Sequence, residues 1–182
     1  MLFFSKKGYW VFHPRYRGTW ESGGTLLKRS SHLDILDVID QLPRGFKDIW
    51  NKTLYKIRPD SLYVIGVSYG GPAAILASRD PRITKAVALS PVVDWQAPSK
   101  TEPLGPLYPF INEAFRNGYR VPKANWQKLM QGKIYNPVKH IDEIDGSKLM
   151  IIHATDDKVV IPGPVKKFAK QTGASLILLK TG

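Results

Sequence analysis

Apolar residues along this chain gather in short unbroken runs separated by stretches where they recur at helical spacing. The runs Gly8–Pro14, Ser61–Gly66, Ile83–Leu89, Lys148–His153 and Ala174–Leu179 are rich in β-branched and aromatic residues and predict buried strands. Between them, Ser30 and Ser31 offer N-cap oxygens to a helix through about Leu42, ended by Pro43. Its apolar positions are Leu33, Leu36 and Ile39, with Ile35, Val38 and Leu42 on the adjoining rows. Asp34, Asp37 and Asp40 recur every third residue on the other side and read as a solvated helix face rather than a metal site. A second helical stretch is predicted from Phe46 to Ile57. Two more helices follow, an alanine-rich one over Pro72–Ser78 and another near Val165–Gln171.

Strands alternating with helices argue for an α/β domain built on a mostly parallel sheet with helices on both faces. Arg15–Gly24, with three glycines, reads as a loop. The rhythm breaks between Trp95 and Asp145, where five prolines fall between Pro98 and Pro122. That segment reads as an inserted, partly helical cap on a single domain spanning residues 1–182.

Composition narrows the class. The 182 residues are 43% hydrophobic and 11% aromatic, which excludes intrinsic disorder, and the absence of cysteine excludes disulfide scaffolds and thiolate metal sites. No apolar run approaches the ~20 residues that a membrane helix needs, so the reading is a soluble, cytoplasmic protein without a membrane partner. Lys and Arg number 27 against 15 Asp and Glu, a formal charge of +12. The doublets Lys6-Lys7, Lys28-Arg29 and Lys166-Lys167 lie far apart, and no nucleic-acid-binding module is spelled out, so no nucleic-acid partner is expected.

The strongest chemical signal is Gly66-Val67-Ser68-Tyr69-Gly70-Gly71, set between a predicted strand and a predicted helix. A serine at so sharp a turn is held in strained backbone geometry with its hydroxyl projecting above the sheet. Residues two before and two after it must be small, which Gly66 and Gly70 satisfy. The helix beginning there directs its first amides toward a developing oxyanion, with the Tyr69 N–H as one donor. The second signal is His153-Ala-Thr-Asp156-Asp157-Lys-Val-Val160, directly after a strand. An acid at that strand end shares the rim with the serine turn and could orient a histidine; Asp156 is the candidate and Asp157 the alternative.

These stretches, with Gly8-Tyr-Trp-Val-Phe-His-Pro-Arg-Tyr-Arg-Gly18 and Leu89-Ser-Pro-Val-Val-Asp-Trp95, resemble the α/β-hydrolase fold, and within it the catalytic domain of the prolyl oligopeptidase family of serine peptidases. The resemblance implies Ser68 as nucleophile, Asp156 as the acid and Tyr69 as an oxyanion donor. It implies a peptide or small ester as substrate, with no cofactor and no metal. The serine motif alone also fits esterases, so a carboxylesterase of the same fold is the alternative, and a non-catalytic hydrolase-like module is another.

The fold family's order is serine, acid, histidine. Here His13, His32, His140 and His153 all precede Asp156. The resemblance places the base after the last strand, and three further strands and a second oxyanion loop before the strand at Gly8. The expectation is therefore a domain incomplete at both ends, with two strand edges left unpaired or forced to pair directly, and little or no turnover from these residues by themselves. His153, at a strand end, is expected to serve structure. Oligomeric state is not legible.

Overall fold

The computed structural model describes residues 1–99 and 101–182. Four strands, Leu62–Val67, Ile83–Leu89, Leu149–Ala154 and Ser175–Leu179, form one wholly parallel sheet in that order. In chain order, the chain opens with a single helical turn, α1 (Leu2–Ser5), followed by α2 (His32–Gln41) and a two-stranded hairpin of β1 (Phe46–Lys47) and β2 (Leu54–Tyr55). Next come β3 (Leu62–Val67), α3 (Gly70–Ala77) and β4 (Ile83–Leu89). The cap carries α4 (Leu104–Phe115), α5 (Lys123–Met130) and short 3-10 turns, after which β5 (Leu149–Ala154), α6 (Pro162–Thr172) and β6 (Ser175–Leu179) complete the sheet.

Alternation along the strands settles what each face does. Gly66, Ala86, Ala88, Leu149 and Ile151 point one way and are buried with Ile75 of α3 and Val165, Phe168 and Ala169 of α6. Small residues on β4 and along α3 let that helix settle close to the sheet. A second core joins the far side of α3 to the cap: Ala73 and Leu76 pack with Leu26, Leu27, Trp95, Val121, Trp126, Leu129 and Tyr135. The segment after Trp95 is thus rooted on the helix that follows Ser68.

On the opposite face, Tyr63, Ile65 and Val67 of β3, Met150 of β5, and Ile177 and Leu179 of β6 are exposed. The outer edge of β3 pairs with no strand among the described residues.

Two predicted elements are corrected. Gly8–Pro14 is not a strand. An extended run joins a sheet only where a neighbour takes up its amides and carbonyls, and this one instead lays Trp10 and Phe12 against Phe46 of the hairpin. The helix predicted over Phe46–Ile57 is that hairpin. Asp48 accepts from the amides of Trp50 and Asn51 (both 2.8 Å), the Asn51 side chain accepts from the Thr53 amide (2.8 Å), and Lys52 sits at φ +61°. Such side-chain-to-backbone bonds compete with helix and turn the chain back on itself.

Candidate active site

The rise of β3 into α3 produces the turn that carries Ser68. Its φ is +48°, a left-handed conformation that costs an L-residue about 1–2 kcal/mol. Two bonds hold it there: the Ser68 N–H donates to the Leu89 carbonyl of β4 (2.9 Å), and the Gly71 N–H donates to the Ser68 carbonyl (2.9 Å). Ser68 itself is exposed and borders a cavity of about 1780 Å³ that continues along the open sheet face.

Crowding decides which glycines the turn demands. A Cβ on Gly66 would stand 2.0 Å from the Gly70 carbonyl oxygen, and one on Gly71 would stand 2.5 Å from Cβ of Pro91. A Cβ on Gly70 would meet only the Tyr16 hydroxyl, at 3.5 Å, an ordinary contact. The steric requirement expected of Gly66 and Gly70 therefore falls on Gly66 and Gly71.

Tyr69 caps α3. Its N–H belongs to the first turn, where no helical carbonyl one turn back is available to it. Its ring is packed among Tyr16 (5.6 Å between centroids), Trp95 (5.9 Å) and Tyr135 (5.1 Å). The Tyr69 hydroxyl pairs with Ser31 Oγ at 2.8 Å, and the Tyr69 carbonyl accepts from the Tyr135 hydroxyl. Burial raises the Tyr69 phenol well above its ordinary pKa, so it stays a neutral hydrogen-bonding group. Ser31 is the N-cap residue of α2 as predicted, but its hydroxyl makes no cap bond and is committed to Tyr69.

Beyond β5, the loop at Asp156 lies two strands away from Ser68, roughly 10 Å across the sheet at the usual strand spacing. Both residues follow the carboxyl ends of parallel strands, so they share one rim. The two neighbouring acids do different things. Asp157 Oδ1 accepts from the amides of Val159 and Val160 (both 2.9 Å), building the loop. Asp156 is exposed and makes no side-chain hydrogen bond among the described residues.

No histidine is hydrogen-bonded to Ser68 among the described residues. His153 is buried, as expected of a structural residue. Its Nε2 lies 2.7 Å from the Val160 carbonyl and therefore carries the proton, while its Nδ1 is buried without a partner. His32 and His140 both face Arg79, at 3.3 and 2.8 Å. His13 is exposed and lines the far reach of the cavity.

Phe115, Tyr119 and Trp126, three of the cap's aromatics, border the cavity beside Leu104, Leu107 and Ile111. Tyr108 instead packs on Trp126 (5.8 Å) and donates to the Val121 carbonyl (3.3 Å), and Phe110 is exposed. The Arg15–Gly18 loop reaches the same region: Tyr16 packs edge-to-face with Tyr69, and Arg17 anchors the loop to α2 through Asp34 (3.0 Å).

A strained serine between a parallel strand and a helix, with an acid on the rim two strands on, is the framework met in α/β hydrolases. The model of the prolyl oligopeptidase family matches residues 1–175. The chain belongs to the prolyl oligopeptidase family. No curated protein sequence matches it. Among solved structures it is similar to an esterase from Pyrococcus furiosus (TM-score 0.58, 22% identity, covering 90% of this chain and 57% of the esterase). It is also similar to mouse alpha/beta hydrolase domain-containing protein 10 (TM-score 0.55, 14% identity, 92% and 66%) and to a monoacylglycerol lipase from Paleococcus ferrophilus (TM-score 0.51, 15% identity, 90% and 70%). These likenesses establish the α/β-hydrolase fold. The chain spans little more than half the length of the Pyrococcus esterase.

Sequence reasoning singled out Ser68, Tyr69 and Asp156 but passed over Tyr135 and the partnership of Ser31 with Tyr69. A tyrosine before Asn136-Pro137 carries no motif, and a serine ahead of a helix is read first as a cap.

Proposed function

We propose that this chain is the catalytic part of a serine hydrolase, a peptidase of the prolyl oligopeptidase type, working through an acyl-enzyme. The observation that carries the reading is the φ of +48° at Ser68, a strain with no structural use unless its hydroxyl is to be presented to the cavity. In this reading Ser68 attacks an amide or ester carbonyl, and a histidine takes its proton. Asp156 orients that histidine and stabilises the imidazolium, while the Tyr69 amide donates to the oxyanion. Water then attacks the acyl-serine, returning the proton by the same base and releasing the acid. No metal or organic cofactor enters these steps. A carboxylesterase of the same geometry is the second reading, supported by the apolar cap wall of Leu104, Leu107, Ile111 and Trp126, which accepts an acyl chain as readily as a side chain.

Because none of its own histidines reaches Ser68, the chain by itself is expected to turn over little substrate. Added imidazole supplies a soluble base, so the test is covalent capture: incubate the chain with a p-nitrophenyl ester, with and without imidazole, and locate the adduct by mass spectrometry. The expected result is an imidazole-dependent acyl group on Ser68, lost in Ser68→Ala. No adduct under either condition overturns the hydrolase reading, and an adduct formed without imidazole overturns the lack of a base. Parallel capture from a peptide thioester separates peptidase from esterase preference.

A further inference from the structure

We propose that Tyr135, at the root of the cap, is a positioning residue for the nucleophile turn: its hydroxyl donates to the Tyr69 carbonyl and fixes the direction of the Tyr69 amide. The proposal rests on the serine hydrolase reading and adds the device by which the cap governs the turn.

The first turn of α3 needs such a device. In an α-helix each carbonyl accepts from the amide four residues on, so Pro72, which has no N–H, leaves the Ser68 carbonyl without that donor and held by the Gly71 amide instead. One residue on, the Tyr135 hydroxyl donates to the Tyr69 carbonyl and ties the turn to the root of the cap. Tyr69 is held again at its far end by Ser31 Oγ, 2.8 Å from its phenol. With side chain and carbonyl both tied, the Cα of Tyr69 cannot swing, and the N–H that precedes it keeps one direction.

Tyr135 is itself held rigidly. It is 2% exposed, its ring stacks near that of Trp95 (6.0 Å, 27° between planes), and its backbone carbonyl accepts from the Trp95 indole N–H (2.5 Å). Its φ is +56°, in the left-handed region where a bulky side chain is strained. Asn136, next along, ties both the amide of Trp95 (3.3 Å) and the carboxylate of Asp94 (3.2 Å). Both feet of the cap therefore converge on one phenol beneath the nucleophile turn. An oxyanion donor acts through direction as much as presence, so a turn that is free to rock loses rate rather than binding.

Tyr135→Phe tests this, with Ser31→Ala as a second, gentler variant that loosens the other end of Tyr69. Two quantities are measured: the amide chemical shifts of Ser68, Tyr69 and Gly70, and the imidazole-dependent acylation of Ser68 by a p-nitrophenyl ester over a range of ester concentrations. The expected result for Tyr135→Phe is displaced shifts at those three amides, a maximal acylation rate about tenfold lower, and an unchanged half-saturating concentration. Ser31→Ala is expected to change both measurements in the same direction and less. Unmoved shifts, or an unchanged maximal rate, overturn the proposal, as does a loss confined to half-saturation. An unaltered chain that forms no adduct fails the hydrolase reading and this proposal with it. An unaltered chain that reacts no faster than the variant fails this proposal alone.

Discussion

Gly66 and Gly70 meet across the nucleophile turn so closely that a Cβ on the first would lie 2.0 Å from the carbonyl oxygen of the second. The obstacle is backbone, which cannot rotate aside as a side chain could. Gly66→Ala must therefore displace the end of β3 or the start of α3, at a cost of at least the 1–3 kcal/mol of an overpacked core. Gly71→Ala faces the Pro91 ring at 2.5 Å and is expected to cost a similar amount. Gly70→Ala meets only a tyrosine hydroxyl at 3.5 Å and should leave stability within about 0.5 kcal/mol. Urea unfolding of the three variants checks the order.

The strain at Ser68 gives a prediction of opposite sign. Glycine adopts a φ of +48° without the Cβ penalty, although it adds freedom to the unfolded chain. Ser68→Gly is accordingly expected to stabilise the fold by about 1 kcal/mol, a rise in melting temperature of about 3 °C for a chain of this size, while abolishing capture of an acyl group. Ser68→Ala keeps the Cβ and should abolish capture without the gain in stability. The difference between the two melting temperatures measures what the turn spends on presenting its hydroxyl.

Much of this was legible because the relevant physics is local. β3, β4, β5 and β6 are short apolar runs bounded by breakers, and each lies within about a residue of where the pattern puts it. The Ser68 turn was legible because glycine spacing encodes backbone crowding. What was not legible depends on partners distant in sequence. Whether Gly8–Pro14 becomes a strand turns on what lies beside it, and the hairpin at Phe46–Tyr55 is decided by Asp48 and Asn51 bonding backwards onto the chain. Asp156 and Asp157 are equivalent on paper; only the loop shows that Asp157 is used by two amides.

The acidic ridge of α2 is a sharper case. A repeat of carboxylates every third residue reads as a solvated face, yet Asp34 is 9% exposed and accepts from the Arg17 backbone amide (2.8 Å), Arg17 Nε (3.0 Å) and Arg29 Nη2 (2.9 Å). Asp37 shares the same two arginines but is about half exposed, and Asp40 pairs with Arg82 at 2.5 Å. Asp34→Ala leaves the part-buried Arg17 backbone N–H without its acceptor while both partly exposed arginines keep Asp37, and is expected to cost about 1–3 kcal/mol. Asp37→Ala and Asp40→Ala should each cost less than about 1 kcal/mol. Because Arg17 anchors the loop that carries Tyr16 to the turn, Asp34→Ala should also lower acylation of Ser68, read in the same capture assay.

His32 gives the fold a definable response to acid. It is buried beside Arg79 and Arg29, with Ser30 Oγ 2.7 Å from its Nδ1 and Arg79 Nη2 donating to its Nε2 at 3.3 Å. Burial, then the neighbouring positive charges of Arg79, His140 and Arg29, lower its pKa from 6.5 to about 4, with Asp34 opposing. A histidine whose folded pKa is depressed is neutral in the fold while the unfolded chain is already protonating. Stability is therefore full above pH 6.5 and falls as pH drops from 6.5 toward 4, with a loss on the order of 3 kcal/mol for a shift of this size. Asp80, Glu143 and Asp145 have depressed carboxyl pKa values, held down first by hydrogen bonds from Arg82, His140 and Ser147 respectively, so their contributions are present above the ordinary carboxylate values of 3.8 to 4.5 and are lost as pH falls through and below them. The interval from pH 6.5 to 4.5 thus isolates the histidine. Urea unfolding across that interval should show a steady fall for the unaltered chain and a much flatter line for His32→Gln, whose amide keeps a polar partner for Arg79 without titrating. Parallel lines for the two chains would place the acid response elsewhere.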